Sequence, residues 1–439
     1  MSPEAALAGP LTSRRVDAEP LYRRLIAAIT VTGALWRLFM LISKWNTPLL
    51  LNDAFYYSVQ AFENSRGHWY RQPFSTLPSA EHPPLTSLVL TPASLLSNPV
   101  AWQRATMTVL GIALIPLIAM VGRRVAGRRV GVLAAALAAV YANVWMSDSL
   151  VMSETLSLVL VTVALLAAIR LQNSWTLAAA LLCGLAVGLA GNARSEVLLF
   201  APLFALIGVR TRPLRAWAAR AALVMLGAVV VVVPWVAYNL SRFDSAVYMS
   251  TNDGTTLLGA NCPVTYGGPA LGGWSLLCID TSTEPAGEDA AARSARRRRL
   301  AVDYASAHKG RWPLVVSARL LRAADLYGLP DLVKLDTGEE RPAWAVWTGI
   351  VSWWVLAPLA AVGWWRVRKR FGYLLAVPVI NVLVVTVVFY GAHRLRSPME
   401  PVVVVTAACA IVAIPPVRRA IDDWMERRDV SPEAVVSPA

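Results

Sequence analysis

Residues 221–233 read Ala221-Ala222-Leu223-Val224-Met225-Leu226-Gly227-Ala228-Val229-Val230-Val231-Val232-Val233, an apolar run without a single charge. Such a run has no place on a soluble surface, whereas about 20 mostly apolar residues cross a bilayer as one helix. The stretches 156–169 and 381–390 with its flanks repeat the pattern. Across 439 residues, 56% are hydrophobic and 15% charged, and the mean hydropathy is +0.51. Soluble chains carry about 25% charged residues, so this composition predicts an all-α integral membrane protein.

Ten spans are expected, at about 25–43, 102–121, 130–147, 150–169, 175–191, 196–209, 219–238, 344–364, 372–390 and 399–416. Arginine and lysine mark the cytoplasmic loops of multi-spanning proteins. Arg14, Arg15, Arg23 and Arg24 precede the first span, and Arg123, Arg124, Arg128 and Arg129 join the second to the third. Arg210, Arg212 and Arg215 follow the sixth, Arg366, Arg368, Lys369 and Arg370 the eighth, and Arg418 and Arg419 the tenth. With ten spans all of these fall on one side. The cytoplasmic membrane is therefore expected, with a basic tail (1–24) and a second tail (417–439) both cytoplasmic.

The formal charge of +14 is accounted for mainly by loop arginines facing anionic lipid, so no nucleic-acid partner is expected. The arginines at 296–299 fall on the other side and read as a solvated face. The first twenty residues are polar and the first apolar stretch continues into a full span, so no cleavable signal peptide is expected. Cys183 and Cys409 lie in spans as small hydrophobes, while Cys262 and Cys278 share an outer loop and are candidates for a disulfide.

Polar complexity concentrates in two outer loops, 44–101 and 239–343. In the first, helical spacing over 53–64 sets Phe55, Val59 and Phe62 on one face, and a second helix is expected from 84 to 96. Short amphipathic helices of this kind lie in the membrane interface. In the large loop, helices are expected near 294–308 and 313–327. The tails 1–20 and 428–439 look disordered by composition.

The chemistry-bearing residues sit at the outer rim. Asp53, in Asn52-Asp53-Ala54-Phe55-Tyr56-Tyr57, reads either as a helix cap or as a general base with Tyr56 and Tyr57 one turn on. Asp148 and Glu154 flank the start of the fourth span. A carboxylate at that depth is costly, so it has a partner or a task. Arg194, next to Glu196, is either a structural partner for Glu154 or a bidentate phosphate ligand. His393, Arg394 and Arg396, in the turn ending Pro398-Met399-Glu400-Pro401, read as an anion site or as snorkelling interface anchors. Arg37 lies inside the first span and needs a carboxylate partner there. No Walker loop, dinucleotide glycine fingerprint, His-Glu-x-x-His or Gly-x-Ser-x-Gly motif is present.

In this order, Asp53-Ala54-Phe55-Tyr56-Tyr57, His82-Pro83-Pro84-Leu85, Met152-Ser153-Glu154 and Asn192-Ala193-Arg194-Ser195-Glu196 resemble the polytopic GT-C glycosyltransferases. The nearest likeness is to the bacterial branch related to protein O-mannosyltransferases and lipid A aminoarabinose transferases. Pro234-Trp235 to Asn239, Ser250 to Gly254, and the segment from His393 to Pro401 extend the similarity over roughly 25–416. Leu395 stands where that family has tyrosine, and Ala54 where it often has a second acid.

The resemblance implies a GT-C-like bundle of about ten helices with interfacial helices in the first outer loop. It implies transfer of a hexosyl or pentosyl group from a polyprenyl-phosphate monosaccharide to a glycan, lipid or protein hydroxyl on the outer face of the membrane, in cell-envelope assembly. Asp53 is then the base, with Glu154 and Asp148 as further catalytic candidates. Arg194, Arg394 and Arg396 hold the donor phosphate, and Tyr56, Tyr57, His82 and His393 line the substrate pocket. No metal ligands are assigned, and assistance by a divalent metal stays open. A transporter or flippase of a lipid-linked substrate is the alternative, although no internal repeat supports one.

Overall fold

The computed structural model describes residues 13–72, 75–285 and 287–427. Of the tails expected to be disordered, 1–12 and 428–439 lie outside these, whereas 13–20 are not disordered but form the start of a helix. Among the described residues the chain is helical, with one isolated β-bridge between Arg71 and Pro78.

The first span is α1 (Ser13–Lys44), and the first loop carries α2 (Asp53–Ser65) and α3 (Leu85–Leu90). Then come α4 (Pro99–Ala126), α5 (Arg128–Val140), the single turn α6 (Ala142–Trp145), α7 (Ser153–Ser174) and α8 (Leu177–Ala193). A 3-10 turn leads into α9 (Phe200–Ala205), followed by α10 (Leu214–Leu240). The large loop holds α11 (Asp253–Ala260), α12 (Pro263–Gly267), α13 (Ala290–Ala307), α14 (Trp312–Ala323) and α15 (Leu329–Gly338). The chain closes with α16 (Ala343–Val388), α17 (Glu400–Val412) and α18 (Pro415–Arg427).

Local chemistry sets several of these boundaries. Asn98 caps α4 by accepting from the Ala101 N–H at 3.4 Å, and Pro99 occupies the first helical position. Gly127, at φ +90°, stops α4 so that α5 can turn straight back. The interfacial helix α2 buries Tyr57, Ala61 and Asn64, while the face of Phe55, Val59 and Phe62 stays half-buried. The expected helix over 84–96 divides into α3 and a short 3-10 turn, with Pro92 at the break.

Helical conformation runs unbroken through all 46 residues of α16, which would span about 69 Å if straight. It is not straight. Trp353 donates to the Ala324 carbonyl at 2.9 Å, and Arg319, on the same short α14 segment, donates to the Val387 carbonyl at 2.7 Å. Residues 353 and 387 are therefore neighbours, and the middle of α16 lies at the opposite end of the bundle. There Gln172 donates to the Arg370 carbonyl and Trp364 to that of Gly372. The helix thus makes two crossings, as the expected spans 344–364 and 372–390 require.

Where ten spans are expected, six helices among the described residues are long and apolar enough to cross a membrane, with Leu177–Ala193 and Ser195–Ala205 as shorter apolar helices. The arginine-bearing turns gather at one end. Glu19 pairs with Arg123 at 2.8 Å and Arg128 at 3.0 Å, and Arg212 and Arg220 cover Trp175. Both loops lie at the other end. The Cys262–Cys278 disulfide ties the large loop, and Cys183 and Cys409 are buried thiols. The arginines of 296–299 are held largely within the loop: Arg296 and Arg297 pair with Glu284, and Arg298 with Asp253.

Small residues let the crossings approach. A Cβ on Gly184 would lie 2.1 Å from the Val224 carbonyl oxygen, and one on Gly227 2.7 Å from that of Leu181. Gly184 and Gly188 form a Gly-x-x-x-Gly seam against α10. We expect Gly184→Leu to separate α8 from α10 and lower the thermal unfolding midpoint in detergent. Gly310→Ala, at a position with open space around it, serves as the control and should leave the midpoint unchanged.

Candidate active site

The base of α2 decides what Asp53 is available for. Asn52, one residue earlier, is the cap: its side-chain oxygen accepts from the Ala54 N–H at 2.8 Å. Its amide also donates to the Gly338 carbonyl at 2.9 Å, tying α2 to the end of α15. The Asp53 carboxylate is left free to face the loop end of the bundle, where its side chain is 33% exposed.

Two cations meet it. Arg394 Nη2 lies 3.0 Å from Oδ2, and His82 Nε2 lies 3.5 Å from Oδ1. His82 is held by Tyr57, stacked at 4.7 Å, and by Tyr56 edge-on at 5.1 Å. Tyr56 is fixed in turn by a 2.7 Å bond to Ser79. Burial alone pushes the Asp53 carboxyl up, but the charge and hydrogen bonds of His82 and Arg394 outweigh it and hold the group well below the usual carboxylate range. For His82 burial disfavours the charged ring, yet the Asp53 carboxylate wins and the imidazole is raised.

Behind Asp53 lies Glu154, at the first turn of α7 and only 3% exposed. Three guanidinium groups reach its Oε1: Arg194 and Arg394 at 3.3 Å, and Arg341 at 3.4 Å. Each also pairs with a further carboxylate, Glu339 being shared by two of them. Arg194 pairs with Glu196 at 2.6 Å, Arg341 with Asp336 at 3.0 Å and Glu339 at 2.5 Å, and Arg394 with Glu339. Nearby, Arg104 binds Glu340 at 2.7 Å and the carbonyls of Lys44 and Thr47. Both readings of Arg194 thus remain chemically compatible, since it pairs with Glu154 and still faces the cluster.

Other expected residues lie deeper. Arg396 is 1% exposed and points away from Asp53. It bonds Asp325 at 2.7 Å, the Ala323 carbonyl at 2.7 Å and Glu400 at 3.3 Å, beneath the Trp353 ring. It therefore anchors α17 to the large loop and is not placed to hold a phosphate beside Asp53. His393 is clamped between Asp325 at 2.9 Å and Asp336 at 2.5 Å. It borders a small internal cleft, of about 310 Å³, together with Glu154, Arg341 and Arg394. Asp148 lies within the bundle: Arg37 binds it at 2.6 Å and Thr155 at 2.8 Å, which supplies the partner that Arg37 needs and sets Asp148 apart from the Asp53 cluster.

Sequence reasoning missed Arg341, Glu339, Asp336 and Asp325. The charged run Asp336 to Arg341, set directly before the apolar start of α16, is the signal that could have found them. Among the described residues no three His, Cys, Asp or Glu side chains are grouped to hold a metal. Asp53 meets Arg394 and His82, and Glu154 meets Arg194, Arg341 and Arg394.

Removing one partner from a buried ion pair typically costs about 3–5 kcal/mol. Glu154→Gln and Arg341→Ala should each destabilise the protein, and the double variant should lose less than the sum. Thermal unfolding in detergent, read as a double-mutant cycle, should give a coupling of about 0.5–3 kcal/mol.

No family model matches the chain, and no curated protein sequence does so. Solved structures do. The Archaeoglobus fulgidus oligosaccharyltransferase in its apo form superposes with a TM-score of 0.56 at 14% identity, covering 91% of this chain and 52% of that one. The same enzyme tethered to an acceptor peptide gives 0.51 at 14% identity, over 93% and 51%. ArnT from Cupriavidus metallidurans bound to undecaprenyl phosphate gives 0.44 at 17% identity, over 94% and 81%. The chain spans about half the length of the oligosaccharyltransferase it matches. The chain therefore shares the fold of the membrane part of the oligosaccharyltransferase on which it superposes.

Proposed function

We propose that the chain is a glycosyltransferase that moves a monosaccharide, hexosyl or pentosyl, from a polyprenyl-phosphate donor to an acceptor hydroxyl, with Asp53 as base. The observation that carries this reading is a partly exposed carboxylate sharing one guanidinium, Arg394, with a buried cation cluster. The arginine-bearing turns and both ends of the described chain lie at the opposite end of the bundle. By the basic-inside rule this supports a site on the outer face of the cytoplasmic membrane. The gathering of Asp53, Glu154 and their arginines at the loop end of the bundle favours surface chemistry over transport.

In the reaction, Asp53 accepts the acceptor hydroxyl proton as that oxygen bonds to the anomeric carbon. The bond from that carbon to the phosphate oxygen breaks through an oxocarbenium-like state, and the electron pair leaves with the lipid phosphate. Arg194 and Arg394 stabilise the departing phosphate, with Glu154 and Arg341 setting their positions. A carboxylate held as low as Asp53 is a weak base. A donor phosphate competing for Arg394 loosens that hold and raises the basicity of Asp53 when substrate is present.

Asp53→Asn should cut transfer of radiolabelled sugar from polyprenyl-phosphate donors in membranes by about a hundred- to ten-thousand-fold, at normal protein levels. Equal incorporation in wild type and variant would remove Asp53 from the mechanism. The pH profile supplies a second test. Because Asp53 is depressed, it stays ionised as pH falls and protonates only below the usual carboxylate range. Taking away the His82 charge raises it, so the acid limb of the profile should move to higher pH in His82→Gln.

A further inference from the structure

A second, larger cleft opens beside the cluster, enclosing about 560 Å³ between the segment 246–253 and helix α13. Two chain connections set it against the proposed reaction centre. Ser195, on its wall, directly follows Arg194. On the other wall, the Thr251 N–H donates to the Ala80 carbonyl at 2.7 Å and Ser250 Oγ to that of Glu81, the two residues before His82. The cleft wall is thus joined directly to the segments that carry Arg194 and His82.

Its lining is specific in kind. Tyr248 presents a ring that is 65% exposed although no aromatic neighbour covers it. Facing it, Asp253 accepts from Ser294 at 2.8 Å and pairs with Arg298 at 2.8 Å. The hydroxyls of Ser250 and Thr251 complete a wall of small donors and acceptors. An exposed aromatic face opposite a carboxylate–guanidinium pair suits a flat, hydroxyl-rich ligand, which stacks one face and hydrogen-bonds its rim. An extended peptide fits less well. Strand addition needs free backbone groups, whereas the Thr251 N–H is taken by Ala80 and the Met249 carbonyl by the Trp235 ring at 2.9 Å.

We propose that this cleft is the acceptor subsite and that it takes a neutral oligosaccharide, with Tyr248 as the stacking platform and Asp253 and Arg298 as the hydroxyl clamp. The assignment of acceptor rests on the transferase reading above, but the cleft as a carbohydrate site can be tested without turnover. Saturation-transfer NMR on the full chain in nanodiscs, with glucose, mannose and galactose trisaccharides as probes, reads binding directly. At least one trisaccharide should bind wild type, and Tyr248→Ala should raise its dissociation constant about tenfold, equivalent to about 1.4 kcal/mol. Asp53→Asn should bind it as wild type does. No trisaccharide binding, binding indifferent to Tyr248→Ala, or binding of a serine- and threonine-containing hexapeptide in its place would overturn the proposal. Trisaccharide binding with Tyr248 dependence, together with sugar transfer that survives Asp53→Asn, would retain the cleft and reject the mechanism.

Discussion

The contact of three guanidinium groups with one buried carboxylate organises the loop end of this protein. Glu154 sits on α7, Arg194 at the end of α8, Arg341 just before α16 and Arg394 after its return. A lone ionised carboxylate in an apolar bundle is unfavourable by several kcal/mol, and three adjacent arginines without an acid would repel one another. Each sign makes the other tolerable. The further acids Glu196, Asp336 and Glu339 share out the excess positive charge, so the cluster extends from the bundle into the large loop. This leaves Arg394 with a foot in each place, on Glu154 below and Asp53 above.

The bundle itself was legible because hydropathy and charge agree. Apolar runs set the crossings, and basic turns set which ends belong together. Even the double passage of α16, where helical conformation never breaks, follows from placing arginines 366–370 with the other basic turns. Much of the site could be read as well: Asp53, His82, Glu154, Arg194 and Arg394 do converge.

What could not be read has a common physical cause. Asp53 and Asn52 are equally good caps by residue type, and only the backbone shows that Asn52 takes the role. Arg394 and Arg396 are two residues apart, which on this 3-10 turn sends their side chains in different directions, one to Asp53 and one to Asp325. Asp148 and Glu154 looked alike at the same junction, yet one meets the arginine of α1 and the other the arginines of the cluster. Arg341 lies in a loop whose charges offered no periodicity to interpret. In each case the deciding information is a partner distant in sequence.

That distance bears on how the protein is made. The bond between Arg394 and Asp53 joins positions 341 residues apart. Helices near the N-terminus enter the membrane while the arginine that completes the cluster is still unsynthesised. During that interval Glu154 can meet Arg194 alone, and Asp53 has only His82 beside it. A nascent chain therefore carries Asp53 without its arginine through most of translation. The charge cluster can close only once the turn between α16 and α17 has been made.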